Sequence, residues 1–189
     1  DILRMSRSKP PGVLEAAANL GKGLDKLIIF NSLSKRSNAS GMRAGFIAGD
    51  KNIIESYKLL VSNGASPVPI PIQKVAASLY ADEEHHTKAC IHYDKNFSIV
   101  EKYLKPFYKD FKLPDAGFFL WLKVRDDQQA AKILWNKFSL RVMPGSFMGI
   151  NVQGFNPGKG FLRISLVDNK EVIEEAMKRI QLFLQSEIS

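Results

Sequence analysis

The sequence predicts an α/β chain in two blocks, and three observations predict it. Short apolar runs of strand length alternate with amphipathic stretches of helix length. Strand, polar loop, strand and two helices come first, and a strand–helix–strand–strand–helix block follows. A long helical stretch links the two. It reads as the connector between a larger sheet domain, residues 1–95, and a smaller α+β domain, residues 96–189.

Each element has a local reason. Residues 13–20 read as a short helix that follows Pro10-Pro11-Gly12 and stops at Gly21 and Gly23. Lys26 to Asn31 reads as a buried strand, apolar on both faces. Ala44 to Gly49 reads as a second strand that turns at Gly49-Asp50. The stretch between them, Ser32 to Arg43, is too polar and too small for an element interior and reads as a loop. Two strands make no stable open sheet alone, so this block implies neighbours beyond it. Residues 51–62 form an amphipathic helix with Ile53, Ile54, Tyr57, Leu60 and Val61 on one side, ended by Asn63-Gly64. The alternate prolines of residues 66–71 demand extended chain. A helical stretch from Gln73 to Tyr103, broken once, ends at Pro106.

In the second block, residues 115–124 read as a strand and 126–138 as a helix. Residues 140–146 read as a short strand and turn, and 160–167 as another strand. The last helix covers 169–186, with Asn169 as N-cap and Val172, Ile173, Ala176, Ile180, Phe183 and Leu184 as its apolar stripe.

Composition narrows the function classes. A chain of 189 residues, 45% hydrophobic and 24% charged, is ordinary globular protein. The net charge is +8, but the 27 Lys and Arg are scattered, with no basic run or groove-reading motif, so nucleic acid is not an expected partner. One cysteine, Cys90, allows no intrachain disulfide. With no apolar run of membrane-spanning length and no secretory leader, the expectation is a cytoplasmic protein without membrane association. The chain starts at Asp1 rather than Met, and the expectation is a piece of something longer.

The chemistry is concentrated in S-L-S-K-R-S-N-A-S-G-M-R-A-G-F, residues 32–46. A phosphate-bearing aldehyde cofactor needs a lysine amine to condense with, held at the end of a rigid strand. It needs hydroxyls and a guanidinium for the phosphate dianion. It also needs small residues that let the backbone approach. Ser32, Ser34, Lys35 and Arg43, with Gly41 and Gly45 around the arginine, meet those needs. The run resembles the lysine signature of class I/II (fold-type I) pyridoxal-phosphate aminotransferases. That resemblance implies the fold of part of the family's cofactor-binding large domain plus its α+β C-terminal small domain. It implies pyridoxal 5′-phosphate as cofactor, linked to Lys35, which would also shuttle protons. Ser32 and Arg43 would hold the phosphate, with help from Ser34.

Further segments carry the same resemblance: Pro67 to Gln73, the P-x-x-G-F-F-L-W run from Pro114 to Trp121, and the turn from Val142 to Gly149, where Met148 replaces a phenylalanine. The strand F-L-R-I-S-L, residues 161–166, matches one whose arginine, here Arg163, binds the substrate α-carboxylate. An arginine amid apolar residues needs an anion, either that substrate or a structural carboxylate. The match covers the second half of the family's length. Its glycine-rich phosphate loop, ring-stacking aromatic, asparagine and pyridine-binding aspartate lie upstream, and Asp1 is not assigned the aspartate's role. The chain alone is therefore expected to be a poor catalyst or none. Within the family, residues 34–38, 64–73 and 82–85 resemble N-succinyldiaminopimelate aminotransferases, with Ser40 where those have proline. The implied substrates are glutamate and N-succinyl-2-amino-6-oxopimelate, the implied assembly a homodimer. The alternatives are an aspartate or aromatic aminotransferase, or an inactive remnant acting as an interaction module.

Other signals are weaker. Glu84-His85-His86 with Cys90 and His92 offers an i, i+4 pair for a metal, but reads as solvated helix, so no metal is expected. Phe118, Phe119 and Trp121 read as packing residues rather than base-stacking ones. Pro157-Gly158-Lys159-Gly160 lacks the rest of a phosphate loop.

Overall fold

The computed structural model describes residues 12–188. The chain divides between Cys90 and Ile91 into two compact units.

The first unit opens with helix α1, Val13–Asn19, followed by strands β1, Ile28–Ser32, and β2, Gly45–Gly49. The strands pair antiparallel from Ile28↔Gly49 to Ser32↔Gly45. Gly45 is required by space: a Cβ there would run into the Asn31 carbonyl across the pair. The expected buried strand is half-buried at best, and Phe30 is 65% exposed, because among the described residues β2 alone pairs with β1. The expected polar loop carries local structure. Leu33–Arg36 is a single helical turn, α2, and Ser40–Met42 a 3-10 turn. Leu33 sits at 0% exposure with Ala44 and Ala76, under Met42, Val68, Ile72, Leu79 and Tyr80. One leucine in an otherwise polar run thus fastens the turn to the core.

Asp50 caps helix α3, Lys51–Gly64, accepting the amides of Asn52 and Ile53, and also takes the Lys26 amide at 2.7 Å. The Lys26 bond leads those that hold its carboxyl below the usual range. The apolar face expected on α3 is only partly used: Ile54, Tyr57 and Val61 are half-buried, while Ile53 and Leu60 are exposed. Helix α4 runs Ile70–Ala81, so Pro71 lies inside its first turn rather than in extended chain. A first-turn proline is tolerated because its missing N–H has no helical partner to lose. The expected break in the long helix falls at Asp82-Glu83. Helix α5, Glu84–Leu104, then continues into the second unit, and Lys105–Phe107 ends it as a 3-10 turn around Pro106.

The second unit is a three-stranded antiparallel sheet with helices. Strands β3, Phe119–Lys123, β4, Met143–Pro144, and β5, Phe161–Ser165, are ordered β3-β5-β4. Alternate residues Leu120, Leu122, Leu162 and Ile164 are buried, as the two-residue period of a strand requires. They share the core with Phe97, Val100 and Leu104 of α5 and with Leu134 of α6, Asp127–Phe138. Ile173, Met177, Ile180, Phe183 and Leu184 of α7, Lys170–Ile188, complete it. Met177 replaces the expected Val172, which is 48% exposed. Asn169 caps α7 as expected, its side chain accepting the Val172 amide at 3.0 Å. Asn96, 1% exposed, ties α5 to the chain after β5 by donating to the carbonyls of Leu166 and Asp168. The turn after β4 is set by two glycines whose backbones press together: a Cβ on Gly145 or on Gly158 would collide with the other's carbonyl. The buried Asp127 accepts the amides of Ser146 and Gly160 and so ties that turn to the start of α6.

Candidate active site

The connected end of the β1–β2 pair, where residues 33–44 join the two strands, is where the first unit gathers its functional side chains. Leu33 donates its amide to the Ala44 carbonyl at 3.2 Å, which closes the pair beyond Ser32↔Gly45. Ser32 and Ser34 therefore leave one strand where Arg43 enters the other, with Lys35 on the turn between them. Ser32 is the N-cap of α2: its Oγ accepts the Ser34 amide at 3.2 Å and donates to the Ser34 hydroxyl at 3.0 Å. Lys35 is exposed on the turn. Arg43 adopts a left-handed backbone, φ +50°, after the 3-10 turn, and its guanidinium donates to the Ser40 carbonyl at 2.9 Å.

Residues 32–45 place the hydroxyls of Ser32 and Ser34, Lys35 and Arg43 at this end and contain no carboxylate. The third cation of the segment, Arg36, is taken up elsewhere. It is 8% exposed, donates to the Leu79 carbonyl at 2.9 Å, pairs with Glu83 and lies over the Tyr80 ring. What remains is a set of donors and positive charges suited to a phosphate dianion, with an amine beside them. The residues present fit pyridoxal phosphate.

The underside of this end is gripped by the junction of α4 and α5. Tyr80 donates its hydroxyl to Asn31 at 3.3 Å and packs edge-on against Phe46. His85 bonds the Ser37 hydroxyl through Nε2 at 2.8 Å and the Asp82 carboxylate through Nδ1 at 3.0 Å. These residues were not singled out as site residues from sequence. His85 reads there as helix surface, yet both its ring nitrogens are used. The signal available was an arginine directly after the lysine and acidic residues at a helix break. His86 lies 3.5 Å from the Cys90 sulfur through Nε2. Among the described residues, no group of three or more His, Cys, Asp or Glu could hold a metal ion.

Arg163 belongs to the second unit. It lies mid-strand on β5, opposite Trp121 of β3 and Met143 of β4. Its neighbours Leu162 and Ile164 point into the core, so Arg163 emerges on the other face, half-buried. Its guanidinium covers the Phe119 ring, 4.5 Å from the centroid. Among the described residues no carboxylate pairs with it. Phe118 is in the core, Phe119 supports Arg163, and Trp121 is 47% exposed.

Residues 5–180 match the family model described as aminotransferase class I and II. The chain is 30% identical over 177 residues to LL-diaminopimelate aminotransferase 2 of Nostoc sp. strain PCC 7120, covering 92% of this chain and 43% of that protein. It is 27% identical over 169 residues to an aspartate aminotransferase of Thermotoga maritima, covering 89% and 42%. Among solved structures, an aminotransferase from Neisseria meningitidis superposes with a TM-score of 0.88 at 38% identity, over 96% of this chain and 47% of that one. The chain belongs to the class I and II aminotransferase family, whose members are pyridoxal-phosphate-dependent transaminases. It spans a little under half the length of the relatives it matches.

Proposed function

We propose that this chain supplies the cofactor-linking lysine and the carboxylate-binding arginine of a transaminase acting on an amino acid and a 2-keto acid. The observation that carries the proposal is the gathering of Ser32, Ser34, Lys35 and Arg43 at the connected end of the β1–β2 pair, with no carboxylate among residues 32–45. Bound there, pyridoxal phosphate would supply an aldehyde to carry the amino group and a ring to accept the electron pair left when the Cα proton departs. Arg43 and the hydroxyls of Ser32 and Ser34 hold the phosphate. The Lys35 amine would link to the cofactor and, once freed by substrate, would be the base that takes the proton from Cα. Arg163 holds the α-carboxylate in two parallel hydrogen bonds and so orients the Cα–H bond. Residues 1–95 act as part of the large domain and 96–189 as the small domain.

Glutamate is the proposed amino donor and N-succinyl-2-amino-6-oxopimelate the acceptor. The diaminopimelate-acting relatives support an acceptor of that shape, and residues 34–38, 64–73 and 82–85 support the succinylated form. The Thermotoga relative favours aspartate as the competing donor. A cytoplasmic homodimer is the proposed setting. Among the described residues no helix is long and apolar enough to cross a membrane.

The test is borohydride reduction of the full-length protein with pyridoxal phosphate, followed by peptide mapping. The cofactor is expected on Lys35, and Lys35→Ala is expected to abolish both labelling and turnover. A label on another lysine, or substantial turnover in the variant, overturns the assignment.

A further inference from the structure

We infer that Asp82, His85 and Ser37 form a positioning relay that fixes the turn bearing Lys35 from behind; the inference rests on Lys35 being the cofactor-linking residue. The turn needs such a support. Leu33–Arg36 is four residues long, and one helical turn does not hold itself together in water. Its front end is fixed by the Ser32 cap and the buried Leu33. Its rear end is Ser37, whose amide returns to the Leu33 carbonyl at 3.1 Å. The Ala39 amide uses the same carbonyl at 3.2 Å. Lys35 stands between these two ends.

Three adjoining residues of the α4–α5 junction meet that rear end. Leu79 and Glu83 hold Arg36, and His85 holds Ser37. The relay has a defined polarity. The Asp82 carboxylate also accepts the Glu84 amide at 2.8 Å, so it is fixed at the helix start and can only accept. Its bond to His85, and then that to Glu84, hold the carboxyl below the ordinary aspartate range. Nδ1 of His85 is therefore the donor to Asp82. In the neutral ring Nε2 accepts the Ser37 O–H.

The same connectivity serves hydrolytic serines, but here it does not. Where a hydrolytic serine's own amide serves as an oxyanion donor it is left free, whereas the Ser37 amide is committed to the Leu33 carbonyl. The hydroxyl is an anchor rather than a nucleophile. His85 acts on the chemistry only through the placement of Lys35.

The experiment uses the full-length protein and its variants His85→Ala, Ser37→Ala and His85→Gln, whose side-chain amide reaches where Nε2 stood. In the cofactor-free protein, both alanine variants are expected to speed amide exchange at Ser37 and Ala39 about tenfold, the loss of one hydrogen bond. The β1–β2 amides are expected to be unchanged. With pyridoxal phosphate added, borohydride is expected to fix the cofactor on Lys35 correspondingly more slowly, and His85→Gln to restore both readouts. Unchanged exchange at Ser37 and Ala39 overturns the relay. Faster exchange throughout residues 12–90 overturns it in favour of a general folding role. Faster local exchange with unchanged trapping overturns the link to Lys35. A parent protein that takes no cofactor on Lys35 sinks the transaminase reading, while the exchange arm still decides whether the relay holds the turn.

Discussion

Arg163 and Asp127 show two ways a charge is kept in the second unit. Arg163 rests its flat guanidinium on Phe119, with no carboxylate paired to it among the described residues. Arg163→Ala is expected to weaken binding of α-carboxylate substrates by about 2–4 kcal/mol, read as the change in dissociation constant. Unchanged affinity with a lowered melting temperature would make the residue structural instead. Asp127 is buried and ionised. Burial opposes its charge, but the hydrogen bonds from Ser146 and Gly160 outweigh that and hold its carboxyl below the ordinary 3.8. A lowered folded-state value means stability that is complete above the unfolded value and lost as pH falls through the lower one. Asp127→Ala is expected to cost about 1–3 kcal/mol at neutral pH by leaving amides unpaired. The gap between parent and variant melting temperatures should narrow only below about pH 4. At this scale the sequence was readable in placement: the lysine after S-x-S sits on the turn at a strand end, and the arginine of the apolar strand sits mid-strand. His85 and Arg36 were not readable, because a histidine on a polar helix and an arginine in a basic run have many uses. Only the tertiary approach of the α4–α5 junction gives them theirs.

The helices and strands follow from pattern where one face is buried within the chain itself. The second-unit strands alternate cleanly and α7 keeps its stripe, so both were legible. Helix α3 has a comparable stripe, yet Ile53 and Leu60 face solvent, because no described residue of the first unit covers them. Periodicity reports which face is apolar, not what meets it. The turn α2 was missed because its four residues are polar apart from Leu33, and its helical form depends on capping and on that one buried contact. Leu33→Ala is expected to destabilise the first unit by about 2–5 kcal/mol, measured by denaturant unfolding. Because the contact lies beside Lys35, cofactor labelling there should fall with it. Undiminished labelling together with lost stability would show that Leu33 serves the core alone.

The two units differ in how much core each holds. Among the described residues, the buried hydrophobic side chains of the first unit are Leu33, Ala44 and Ala76, whereas the second buries residues from three helices and two strands. Local stability follows buried apolar contact. Amide exchange should accordingly be faster across residues 12–90 than across 91–188, and limited proteolysis of the isolated 189-residue chain should nick the first unit first. Equal protection in both would mean that the exposed Phe30, Leu59 and Leu60 are covered in solution, as they would be in a self-associated form.

The pressed backbones of Gly145 and Gly158 carry a consequence for inheritance. Neither glycine has a positive φ, so space rather than torsion excludes a side chain at either. Every missense change in a glycine codon adds at least one carbon. A library of random coding variants, selected for a folded product, should therefore return both positions unaltered, while Gly64, with open room around it, accepts alanine freely.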